Sequence, residues 1–461
     1  MRGRGFSHAL TSYLCIQALW TANNLSHLPF LSSGLNMKPI HIRRSPRLAI
    51  LLLALVGHSE ARASQLDDSS DTWPQWRGPN RDGTAPGEGW GADLSDENFG
   101  VKWEVNGLGP SYSGPVVDAN RVYITETVDK TTEVVRALNR FSGEELWKTS
   151  WVGAMKVPFF ASRNGSWIRS TPAVDEASIY VAGMRDVLTC LHAETGKVRW
   201  SVDFKERFKT SLPAFGCPSS PLLTKTHVYV QAGAGLVKLD KETGATIWRT
   251  TLDSGDSMSG GAFSSPVMAT LGGIPQLVVQ SRTELAGISI DDGAILWSTA
   301  VKAFRGMNIL TPTIFGEAVF TSAYGGRAHL FQVEGNEGGL DIRVGWEAST
   351  QGYMTSPVVL DGTAYLFLKS NRFGCLDLET GAKGWTSPPT GDSYWSLAIQ
   401  GNRILSLSDS GVLRLIGAEP GGYRVISERE ISEEETWAHI APAGKQVFVR
   451  SQQSLIALNW L

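Results

Sequence analysis

Cysteine is scarce in this chain and never paired in sequence. Four occur in 461 residues: Cys15, Cys190, Cys217 and Cys375. There is no Cys-Cys, no C-x-x-C and no C-x-x-C-H, which excludes a vicinal dithiol and a covalently attached c-type haem. Cys15 falls ahead of the expected mature chain. The three that remain are an odd number, so a complete disulfide framework is ruled out. Cys190 and Cys375 take the same place in an internal repeat and read as small buried hydrophobes in strands. Basic excess is also lacking. Lys and Arg total 42 against 45 Asp and Glu, a net charge of −3. Nothing here would neutralise a run of phosphates, so nucleic acid is not an expected partner. Long apolar runs are absent: the nine residues Leu48–Val56 cannot cross a hydrocarbon layer of roughly 30 Å as a helix. No G-x-S-x-G, Walker A loop or dinucleotide fingerprint occurs. His192, His227, His329 and His439 show no ligand spacing. No metal site and no catalytic residue is assigned.

The short apolar run has a different meaning. Lys38, Arg43, Arg44 and Arg47 precede it, and Ala61-Arg62-Ala63 follows. A positive stretch, a short apolar core and small residues before a cut form an export signal. The signal begins at Met37, so residues 1–36 are expected to be an over-extended start and 37–63 the signal peptide. The mature chain is expected to begin after Ala63, in the periplasm or cell envelope, as a soluble monomer. No cysteine follows the apolar run to carry a lipid.

Glycine and tryptophan are abundant, at 49 and 16 residues. Both are explained by repetition, the first thing to seek in a chain of this length. ALNRFSGEELW, CLHAETGKVRW, KLDKETGATIW, GISIDDGAILW and CLDLETGAKGW each place a tryptophan four residues after a turn glycine. A second element, a Ser/Thr-Pro strand, a polar turn and a β-rich strand, recurs eight times. Its second strands centre on Tyr123, Tyr180, Tyr229, Val278, Phe320, Tyr365, Leu405 and Phe448. Two hairpins per period make four strands per period, which is a propeller blade. The eighth hairpin is followed by only one more strand. Val101–Val105 has the form of the missing fourth and is expected to close the ring, which also removes an open edge. The fold expected is all-β: an eight-bladed propeller over 100–461, with 64–99 an irregular segment packed on it. The fifth blade replaces the short turn with Glu334–Leu340, and the seventh lacks the tryptophan.

The Thr/Asp-Gly-x-x-x-Trp element resembles the repeat of the pyrroloquinoline quinone (PQQ) propeller superfamily, over about residues 100–461. The resemblance implies that Trp147, Trp200, Trp248, Trp297, Trp346 and Trp385 dock between neighbouring blades. Trp73-Pro74-Gln75-Trp76-Arg77-Gly78-Pro79-Asn80-Arg81-Asp82-Gly83 looks like the N-terminal segment of exported bacterial PQQ-like proteins, pinned on the propeller surface. The superfamily has two branches. One binds PQQ with Ca²⁺ and oxidises alcohols or sugars. The other is non-enzymatic, and includes the propeller lipoprotein of the outer-membrane β-barrel assembly machinery. The missing Cys-Cys and haem motif favour the second. The resemblance therefore implies an interaction scaffold for an envelope protein or peptide, with no cofactor. PQQ-dependent dehydrogenase and carbohydrate-binding propeller stand as alternatives.

The residues just before each Ser/Thr-Pro strand fall at one mouth of the channel. Seven of the eight segments carry an aromatic there: Tyr112, Trp167, Phe215, Phe263, Tyr353, Tyr394 with Trp395, and Trp437. Arg169 and Arg305 stand beside them, and Asn308 marks the segment without an aromatic. This ring is the candidate ligand-binding site.

Overall fold

The computed structural model describes residues 71–87 and 89–461. The export signal, its cleavage point and the 1–36 extension lie outside the described residues. The 32 strands form eight four-stranded antiparallel sheets arranged in a ring, an eight-bladed β-propeller. Blades 1 to 7 span 116–152, 173–203, 222–251, 267–300, 313–348, 358–386 and 395–430. Blade 8 takes its three inner strands from 441–460 and its outermost strand from Phe99–Asn106. Phe99 pairs with Trp460 and Asn106 with Ser454, with a bulge between Val101 and Trp103. Ring closure by an N-terminal strand is thus what the structure has.

Burial follows position in the blade. The second strand of blade 2, Ser178–Gly183, is buried throughout, because each of its faces meets a neighbouring blade. The outermost strand Glu145–Val152 alternates exposed and half-buried positions, because it forms the rim. The apolar cores therefore lie between blades. One such cluster joins Tyr180 and Leu188 of blade 2 to Val228 and Leu239 of blade 3. The largest joins blades 7, 8 and 1 where the ring closes, and takes in Trp73, Trp90 and Phe99 from the N-terminal stretch.

The turn glycines and the tryptophans fit each other across blade boundaries. Trp147 Nε1 donates to Ala193 O at 2.9 Å, Trp200 to Lys241 O at 2.9 Å and Trp248 to Ile290 O at 3.3 Å. Trp346 donates to Leu378 O and Trp385 to Glu419 O, both at 2.8 Å. Each acceptor belongs to the outer turn of the next blade. Gly196 shows why that turn needs glycine. Its φ is +68°, and an added Cβ would lie 2.4 Å from Trp147 Cε3. A side chain there would be strained and would also displace the ring.

Two tryptophans vary this hydrogen-bond pattern. Trp297 Nε1 donates at 2.6 Å to Gln276 of its own blade. The fifth blade runs its strands Ala328–Asn336 and Gly339–Ala348 on as one long hairpin, so no short turn stands opposite. The ring of Trp297 still packs with Val319 and Phe331 of blade 5. Conversely, Trp103, read only as part of the closing strand, donates to Arg140 O at 3.0 Å and packs against Gly143. It is the ring-closing copy of the same device.

Candidate functional site

The innermost strands of blades 1 to 3 are short. Val116–Val117, Ala173–Val174 and Leu222–Leu223 have two residues each. Their Ser/Thr-Pro entries lace the ring together at the channel. Gly114 N donates to Thr171 Oγ1, Thr171 N to Ser220 Oγ, and Ser220 N to Ser265 Oγ, at 2.9–3.0 Å. One edge of every innermost strand still faces the channel with backbone groups that need partners.

The segment 71–87 supplies those partners from within. Sequence reading placed it on the propeller surface, but it lies inside the ring. Trp73 N and O pair with Val117 of blade 1, and Pro74 O accepts from Val174 N of blade 2. Gln75 Oε1 accepts from Leu223 N of blade 3. Trp76 Nε1 donates to Thr311 Oγ1 at the entry to blade 5. Arg77 Nη2 donates to Pro357 O at blade 6. Arg81 donates to Ser220 O and Pro221 O of blade 3 and Pro266 O of blade 4, at 2.7–3.0 Å. Gly83 and Ala85 pair with Ile399 of blade 7. The composition suits a tight reversing loop. Gly78, at φ +84°, lets the chain turn against the Trp73 ring, where a Cβ would lie 2.7 Å away. Buried polar backbone at the centre of a ring demands donors, and this plug brings them.

Trp76 is the apex of the plug and the floor of a cavity at the mouth. That cavity has a volume of about 130 Å³. Five of the proposed mouth residues line it: Tyr112, Arg169, Phe263, Tyr394 and Trp437. Tyr394 and Trp437 stack, with centroids 5.7 Å apart and planes at 15°. Tyr112 meets Trp437 at 6.0 Å and Trp167 at 5.1 Å, both edge to face. The Arg169 guanidinium lies 5.3 Å from the Tyr112 centroid, a cation–π contact. Burial pulls the Arg169 guanidinium below its ordinary value and pushes the Tyr112 phenol up to about 12.

Two further proposed residues flank the cavity. Phe215 packs on Phe263 and on Phe160, with Arg282 4.3 Å from the Phe263 centroid. Tyr353 packs on Tyr324, with Lys369 5.0 Å from the Tyr324 centroid.

Three proposed residues do not belong to the mouth. Trp395 opens the innermost strand of blade 7 and is fully buried between Phe367 and Phe373. Asn308 is fully buried and donates to Arg282 O and Val301 O, so it braces a loop. Arg305 is exposed and lies over Phe304, away from the cavity. Alternation along a strand turned Trp395 inward, one step from outward-reaching Tyr394. The sequence assigns Trp76 to the segment packed on the propeller and marks Arg282, Tyr324 and Lys369 with no motif. The last three sit on turns between second and third strands, which reach the same mouth but carry no Ser/Thr-Pro marker.

A quinone with a bound cation needs a flat slot and several oxygen ligands converging on the ion. Here Trp76, Arg77 and Arg81 fill the channel. Among the described residues, no three His, Cys, Asp or Glu side chains come together to hold a metal ion. The channel does not fit PQQ with Ca²⁺.

The family described as outer membrane protein assembly factor BamB matches residues 130–387. The chain belongs to the BamB family. Outer membrane protein assembly factor BamB of Yersinia pestis is 24% identical over 310 residues, covering 62% of this chain and 74% of the relative. The crystal structure of BamB from Moraxella catarrhalis superposes with a TM-score of 0.56 at 14% identity, over 78% of this chain and 98% of that one. A europium-containing methanol dehydrogenase has the same fold, with a TM-score of 0.50 at 10% identity over 86% and 99% of the two chains. In this BamB-family propeller the fold is common to both branches, so the channel residues must discriminate.

His439 makes the plug sensitive to acid. Its ring lies 5.0 Å from Trp76 and stacks on Trp73 at 6.4 Å, and Nδ1 contacts Ile440 O at 2.8 Å. Burial, with Arg77 nearby, drives its pKa from 6.5 down to about 3. The unfolded chain therefore binds this proton more readily than the folded one between those values. Stability from this site is complete above pH 6.5 and falls as the pH drops. At pH 4.5 the loss is about 2–3 kcal/mol. Urea unfolding of wild type and His439→Gln at pH 7 and 4.5 tests this: the variant should lose less on acidification by about that amount. Parallel losses would show that His439 does not carry the effect.

Proposed function

We propose that the protein is an exported, non-enzymatic scaffold of the cell envelope. It binds an envelope protein or peptide through the mouth face and serves outer-membrane protein assembly. The observation that carries this reading is the plug. The chain seals its own channel, so the aromatic mouth is a docking surface rather than a reaction chamber. The relatives named as outer membrane protein assembly factors support it. So do Phe159 and Phe160, 93% and 63% exposed on the loop beside Phe215. Stacked aromatics with a partly desolvated arginine are the residue types that anchor protein interfaces. Among the described residues no helix is long and apolar enough to cross a membrane. The signal read at 37–63 supports delivery to the periplasm.

The test is binding to the purified β-barrel subunit of the assembly machinery from the same organism. Trp437→Ala should weaken binding at least about tenfold. Phe141→Ala, on an outer turn at the opposite face, should leave it unchanged. Equal affinity for both variants would sink the reading. So would stoichiometric uptake of PQQ with Ca²⁺ accompanied by dye-linked alcohol or sugar oxidation.

A further inference from the structure

The far end of the channel holds a second cavity, of about 250 Å³, between the plug and blades 4 to 6. Arg77 and Arg81 line it on the plug side and Thr313 on the propeller side, with Asn80, Asp82 and Thr84 exposed around it. Three features of this cavity agree. The first is charge that no carboxylate contacts. Arg77 and Arg81 are 1% and 3% exposed, yet they donate only to backbone carbonyls and to the Gln75 side chain. Asp82 is the one acid in the lining; its Oδ1 accepts from Thr84 N, and its main-chain oxygen, not its carboxylate, meets Arg77. The second is a spare donor: Arg77 Nε is buried with no hydrogen-bond partner. The third is a spare hydroxyl: Thr313 Oγ1, on a residue 8% exposed, is also buried without a partner.

Two buried guanidiniums without a paired carboxylate are costly, and a buried N–H and O–H left unsatisfied add to that cost. An anion in the cavity would offset the guanidinium charge, and both unpartnered atoms belong to residues that line it. We propose that this cavity binds an oxyanion, a phosphate or carboxylate group, held by Arg77 and Thr313 in the field of Arg81. Burial draws the guanidinium of Arg77 down to about 10, with the Asp82 charge offsetting part of it, and burial beside Arg77 draws that of Arg81 down to about 9. The cavity shares no lining residue with the aromatic mouth.

Thermal unfolding of the mature protein provides the test, with inorganic phosphate, acetate or succinate added at an ionic strength held constant by sodium chloride. At least one of the three should raise Tm saturably, as expected for a ligand of the folded state. Strongest response to phosphate indicates a phosphoryl ligand; strongest response to the carboxylates indicates an organic acid or a peptide carboxylate. Thr313→Val keeps the shape and removes the hydroxyl, and should raise the apparent Kd about tenfold. Arg77→Gln should abolish the response; because it also removes plug contacts, Thr313→Val decides the location. No response beyond that of chloride overturns the proposal. An undiminished response in Thr313→Val overturns it too.

Discussion

Arg81→Ala is expected to destabilise the propeller by about 3–5 kcal/mol. The guanidinium ties the plug to blades 3 and 4 through three main-chain oxygens, and it is 3% exposed. Its removal leaves Ser220 O, Pro221 O and Pro266 O without these donors in a place water reaches poorly. Each such loss costs about 1–3 kcal/mol. Relief of the guanidinium's own desolvation offsets part of the sum, and the void adds to it. The effect should appear as a lowered urea midpoint. Arg305→Ala, at an exposed site, should change stability by no more than about 0.5 kcal/mol. An Arg81→Ala protein with the wild-type midpoint would mean that the plug does not hold the ring.

Gly196→Val should cost about 3–4 kcal/mol, through two separate causes. A β-branched residue at φ +68° pays about 1–2 kcal/mol for the left-handed backbone. Its Cβ would also press into Trp147, 2.4 Å away, and Thr149 Oγ1, 2.8 Å away. Overpacking of that kind adds about 1–3 kcal/mol. Gly401→Ala separates the causes, because Gly401 has φ +54° and nothing within 4 Å of an added Cβ. It should lose only the backbone part, about 1–2 kcal/mol. Equal losses at the two sites would show that the tryptophan contact contributes nothing.

Arg81 and Gly196 differ in how far each could be read from sequence. Gly196 stands in a motif repeated at constant spacing, and its partner Trp147 occupies the preceding copy of that motif. The contacts of Arg81 lie 139, 140 and 185 residues away, at Ser220-Pro221 and Pro266 in two copies of the Ser/Thr-Pro element. Arg81 itself stands outside every repeat, so nothing periodic connects it to them. The mouth was partly legible for the same reason. Tyr112, Phe263, Tyr394 and Trp437 precede repeated Ser/Thr-Pro entries, whereas Trp76 reaches the same cavity from a segment with no period at all.

The amino-acid sequence by itself determined the eight blades, their order and the closing strand near Val101–Val105, because a blade is a local unit and its pattern recurs. That tryptophan would dock between neighbouring blades was implied by the resemblance to the PQQ propeller repeat. Tertiary structure alone decided that Trp297 turns to Gln276, because the choice depends on which hairpin stands opposite. It alone put 71–87 inside the channel rather than on the surface. The innermost strands present unpaired backbone edges only once the ring has closed, and the segment that satisfies them has no reason to lie there until it does.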